Sequence, residues 1–163
     1  MNRKTIRSSP AAVTLLLFST VTALWYAPKA HAALGDDAAA VAADQARLKA
    51  SIRTTAMKGY TVHQLDSELG TTIKEYIGTG GKIFAVSWSG GRRPDLRAIM
   101  GDSRYEQYLA SRRGQPRARG PISITLPGMV VTMGSYLRTS WGHVYLTDLA
   151  PAGWQTENLG ATP

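Results

Sequence analysis

The apolar positions of the chain change their spacing several times, and each change marks an element. Leu15, Leu16, Leu17, Phe18, Val21, Leu24 and Trp25 crowd one run, from Ala11 to Tyr26. Asp36 and Asp37 then precede an alanine-rich stretch, Ala38 to Ala50. There Ala38, Val41, Gln45, Leu48 and Ile52 recur at spacings of three and four, which predicts an amphipathic helix. Arg47, Lys49 and Arg53 sit near its C-terminal end, where positive charge suits the helix dipole. Its thin stripe of small residues suits packing against a sheet better than lying in a membrane.

From Gly59 the period becomes two. Tyr60 to Leu65 and Thr71 to Ile77 alternate, and Ile83 to Trp88 is apolar at nearly every position, as a strand covered on both faces should be. Glycines at 70 and at 78, 80 and 81 supply the turns, so three strands form an antiparallel meander. Pro94 then suits a first helical residue. Leu96, Ile99 and Met100 share a helical face, Gly101 interrupts it, and Ser103 with Glu106 restarts it as a capping box running to about Arg112. After a polar loop, Gly114 to Gly120, strands return at Ile122 to Leu126 and Met129 to Met133. Tyr136 to Trp141 and His143 to Thr147 read as a last hairpin turning at Gly142. The predicted fold is α+β, a single antiparallel sheet of five to six strands with two helices, in the layout α-β-β-β-α-β-β-β. One domain spans 33–150, and 151–163 form a C-terminal tail with one docking aromatic, Trp154.

The first apolar run changes the reading of the N-terminus. Arg3, Lys4 and Arg7 precede it, and Ala30-His31-Ala32 follows it with small residues where a signal peptidase reads. Residues 1–32 are therefore expected to be a signal peptide cut between Ala32 and Ala33, destined for the periplasm or secretion. The run falls short of the ~20 apolar residues of a membrane span, so no transmembrane anchor is expected after its removal. Charge follows the same division. The formal net charge is +8, but the leader holds four of the 19 basic residues and none of the 11 acidic ones. The remainder carries +4, which supports solubility and gives no reason to expect a nucleic-acid partner. With no cysteine, disulfides and thiolate chemistry are excluded.

From Ala33 to Leu149 the chain resembles a bacterial family known only as Domain of Unknown Function 2844. The resemblance is carried by Ala33-Leu34-Gly35, Tyr60-Thr61-Val62-His63, Glu75-Tyr76-Ile77, the block from Gly81 to Gly101, and Gly142-His143-Val144-Tyr145-Leu146. It implies a small exported protein of Gram-negative bacteria, and it brings no activity, substrate or catalytic residue.

Several candidate chemistries can be weighed on the residues. His63 and His143 both fall in strands, and sheet pairing with Asp66, Glu68 or Asp148 would give two imidazoles and a carboxylate to a metal. No metal-ligand spacing supports this, and a hydrogen-bonded neutral histidine is the commoner use. No catalytic residue is identified: Ser87-Trp88-Ser89-Gly90-Gly91 lacks the first glycine of a nucleophile elbow, and Asp66, Glu68 and Glu75 read as turn and outer-face residues. No cofactor motif is found among the glycine-rich turns. Arg92 and Arg93, with Arg112, Arg113, Arg117 and Arg119, would suit envelope phosphates or carboxylates, against the plain alternative of solvated loops. Trp88 and Trp141, with the strand tyrosines, would line a ligand groove, against the alternative of core packing. The leading expectation is a non-enzymatic envelope protein whose partner is another envelope protein or an anionic component. A periplasmic ligand-binding module is second, and a hydrolase or metal enzyme third.

Overall fold

The computed structural model describes residues 33–37, 50–115 and 120–159. Seven strands form a single antiparallel sheet in the order β1-β2-β3-β4-β7-β6-β5. They are β1 (Ala50–Met57), β2 (Tyr60–Ser67), β3 (Thr71–Gly78), β4 (Ile83–Gly90), β5 (Ile122–Leu126), β6 (Met129–Tyr136) and β7 (Thr139–Leu146). Two helices, α1 (Leu96–Met100) and α2 (Asp102–Arg112), link β4 to the far edge of the sheet. The chain then returns through β5, β6 and β7 to pair with β4. The α+β class and the antiparallel sheet are as the alternation predicts, with seven strands rather than five to six.

The added strand comes from the segment read as the end of the first helix. Residues 38–49 lie outside the described residues, but from Ala50 the backbone is extended, and Ile52 and Arg53 pair with Leu65 and Gln64 of β2. Ile52 therefore packs under the sheet as a strand residue, not as the last member of a helical stripe.

Cross-strand neighbours share a face. Leu65, Ile73, Val86, Trp88, Val131, Met133 and Val144 point to one face, where Leu96, Ile99, Met100 and Tyr108 of the helices cover them. Asp95 caps α1 by accepting from the Arg97 and Ala98 amides. Gly101, at φ 76°, breaks the helix where the sequence places the break. The capping box does not form: α2 starts at Asp102 with no side-chain cap. Glu106 instead takes the Arg97 guanidinium at 2.6 Å, beside Asp102 at 2.7 Å. Arg97 serves both carboxylates because α1 and α2 are folded back to back, an arrangement that a local motif cannot anticipate.

On the other face, a register shift between Tyr76 and Ile77 inserts one residue into β4. Phe84 and Ala85 both join Tyr76 on that face. Phe84 meets the Trp154 ring edge-on at 5.2 Å, and the Tyr76 hydroxyl and Ser87 Oγ both donate to the Leu159 carbonyl. The segment from Ala150 to Leu159 thus covers half of this face.

The last hairpin turns at Leu137–Arg138, not at Gly142. Gly142 lies inside β7, opposite Trp88 and Met133. The Trp88 ring occupies the space where its Cβ would stand. Trp141 does the same over Gly134 on the opposite face, so each indole lies flat across a glycine of the neighbouring strand.

The segment 33–37 is built in as a strap. Leu34 is fully buried; its amide donates to the Ile99 carbonyl and its carbonyl accepts from Arg104. Gly35 and Asp36 exchange backbone hydrogen bonds with Ile83, and Asp37 pairs with Lys82.

Candidate functional site

The strand register separates the histidines. His63 is opposite Glu75, Glu75 opposite Val86, and Val86 opposite Val144, so His63 lies on the helix-covered face. His143 precedes Val144 and points the other way, between Ser87 and Thr132. No metal can span the two through the sheet. Among the described residues no cluster of three or more histidines and carboxylates could hold an ion. The carboxylates divide likewise. Glu75 is buried on the helix face, contrary to the outer-face reading, because Ile73 and Ile77 flank it on the same side. Asp66 faces the opposite way, where Gln64 Nε2 and Thr72 Oγ1 donate to it at 2.9 and 2.7 Å and hold its carboxyl below the usual range.

Both imidazoles bury Nδ1 without a hydrogen bond among the described residues, and burial pulls both pKa values below the ordinary 6.5. Burial favours the neutral ring, so the unfolded chain binds more protons below that pH. Stability is full above about 6.5 and falls as the pH drops from there toward the lowered folded values. Thermal melts between pH 7.5 and 5 should show that loss, and His143→Gln should flatten it. An unchanged slope would remove His143 as its cause.

Trp88 and Trp141 do not make a groove. Trp88 is 1 % exposed under the helices, and Trp141 is buried on the other face. The indoles are used to fill space over glycines, which alternation alone does not distinguish from a ligand wall. Tyr60, Tyr76 and Phe84 likewise pack on one another at about 6 Å.

The arginines fare differently. The β2–β3 turn, the end of β4 and the β6–β7 turn all lie at one end of the sheet, because Thr71 pairs with Gly90 and Gly90 with Ser140. These loops are stitched together: the Gly91 amide donates to the Gly70 carbonyl, and the Arg92 amide and carbonyl both bond Thr71 Oγ1. Arg92, Arg93 and Arg138 project there, all exposed. Helix α2 runs from Gly101, beside Ala33 at the opposite end, past Met133, where Tyr108 bonds Sδ. It therefore delivers Arg112 and Arg113 to the same end. Arg117 and Arg119 lie outside the described residues.

Sequence reasoning missed the apolar partners of these arginines. Leu69 is 67 % exposed, Tyr136 71 % and Leu137 89 %. All three belong to the same loop end. Leu137 sits at φ 52° in a turn whose own residues, Tyr136 to Thr139, include no glycine, so the glycine at 142 draws the sequence reading of the turn instead. A small apolar groove of about 70 Å³ is lined by Leu69, Ile73, Pro94, Arg92 and Arg93. Among the described residues no helix is long and apolar enough to cross a membrane.

No curated protein and no solved structure matches the chain. A family model described as "Protein of unknown function (DUF2844)" matches residues 30–159. That match runs from just before the Ala33 strap to the Leu159 that closes the second face, and the chain belongs to the DUF2844 family.

Proposed function

We propose that this protein is exported and acts without catalysis, binding or structurally supporting a component of the cell envelope. The observation that carries the reading is the gathering of Arg92, Arg93, Arg112, Arg113 and Arg138 at one end of the sheet. The leader-like first 32 residues give the compartment, where phosphates and carboxylates are the abundant anions that guanidinium forks bind.

Proximity crosslinking in intact cells tests it, with mass spectrometry of the recovered partners and of the chain's own N-terminus. The expected result is a terminus at Ala33 and an envelope component captured reproducibly. Its yield should fall severalfold when Arg92, Arg93, Arg112 and Arg113 become Ser. Chain recovered only from the cytoplasm with residues 1–32 intact would overturn the reading.

A further inference from the structure

We infer that the loop end of the sheet docks on an anionic lipid surface, Leu137, Tyr136 and Leu69 entering the headgroup layer while the surrounding arginines hold lipid phosphates. The inference rests on the envelope reading above and names its partner. Two independent features of the molecule meet at this end. The first is where the apolar side chains stand in water. Of the large hydrophobic residues exposed among the described residues, the three most exposed are Leu69, Tyr136 and Leu137. The other two, Met57 and Leu149, are less exposed and lie toward the opposite end.

The second feature is charge. Among the described residues, Arg92, Arg93, Arg112, Arg113 and Arg138 stand at the loop end with Asp66, Glu68 and Asp95. The Asp66 carboxylate already accepts from Gln64 and Thr72, and the Asp95 carboxylate caps α1. At the other end Asp36, Asp37 and Asp148 stand among Lys58, Lys82 and Arg104, and Asp102 is taken by Arg97. The molecule is therefore polarised along its strands, with its apolar tips at the positive pole.

A protein partner would bury such tips in a pocket of matching shape. A lipid surface needs no matching shape, only apolar tips on protruding turns with cations behind them, and that is the arrangement here. Tyrosine and leucine suit the headgroup layer, where an apolar body and a polar tip are both satisfied. Arg92 and Arg93 line the same groove as Leu69, and long arginine stems can cover apolar surface while the charged head stays in water. The three loops are tied by the Gly91–Gly70 and Arg92–Thr71 hydrogen bonds, so the tips are presented together.

The test is co-sedimentation of the chain, purified as cells produce it, with vesicles of phosphatidylglycerol and phosphatidylethanolamine, and with phosphatidylcholine vesicles. Binding is expected to the anionic vesicles alone and to fall steeply with salt. Each of Arg92→Gln and Arg93→Gln should weaken it about fivefold. The double variant Leu69→Ser, Leu137→Ser should weaken it at least tenfold with an unchanged melting temperature, since both side chains already stand in water. In Tyr136→Trp the added fluorescence should shift to the blue on anionic vesicles. No binding to anionic vesicles would overturn the inference. So would binding that the tip variants leave intact, as a retained leader would give, or binding lost with the arginines but indifferent to the leucines. Crosslinking to an envelope protein in cells, combined with no vesicle binding, would overturn the lipid surface and leave the envelope reading standing.

Discussion

Gly142→Ala is expected to destabilise the protein by about 3 kcal/mol, a large share of the stability of a domain this size. The new methyl would enter the Trp88 ring and stand 2.7 Å from the Thr132 carbonyl oxygen and 2.8 Å from Met133 Cβ. None of these can retreat. Trp88 is enclosed by the helices, and Thr132 and Met133 are held by the β6–β7 ladder. Relief requires the indole to leave its site or β7 to slip, and a one-residue slip would turn Val144 and Leu146 out of the core. Urea unfolding of this variant beside Gly80→Ala provides the check. Gly80 has open space where a Cβ would go, so that change should move stability by no more than about 0.5 kcal/mol. Equal midpoints for the two variants would mean that the indole over Gly142 is not a tight contact.

Leu34→Ala should cost about 2–5 kcal/mol, or a melting temperature lower by roughly 10 °C. This leucine is fully buried, with its backbone bonded to Ile99 and Arg104. Removing the side chain leaves a cavity under α1 that the surrounding core can only partly fill. Lys82→Ala, which breaks the exposed pair with Asp37 in the same strap, is the comparison and should cost less than about 1 kcal/mol. A Leu34→Ala protein as stable as Lys82→Ala would show that the strap lies on the fold without holding it.

The sequence displays most of the sheet and little of its assembly. Strands β2, β3 and β4 are legible because their side chains alternate or run apolar between glycine turns, and the break at Gly101 is legible because a glycine stands between two helical faces and takes a positive φ there. β1 was hidden. Of its described side chains only Ile52 packs into the core, so an alanine-rich, charged segment keeps its helical spacing to the eye. Pairing with β2 overrides that local preference. Gly142 misled for the opposite reason: glycine commonly marks turns, but here it makes room for an indole. Reading the turn there hid Leu137 and Arg138 inside a strand and with them the apolar tip of the loop end. The separation of His63 from His143, and the meeting of Arg92 with Arg138, depend on strand order, which no local pattern carries.

The position of β7 has a consequence for how the molecule comes into being. β7 is the last strand in the chain, yet it lies between β4 and β6 and joins the two halves of the sheet. Until it is made, β4 has an open edge with apolar side chains on both faces, and Val86 and Trp88 lack their β7 neighbours Val144 and Gly142. Closure of the sheet therefore waits for β7, and it occurs through contacts distant in sequence, which form slowly. Until β7 arrives, nothing joins the half of the sheet that ends in β4 to the half that ends in β6.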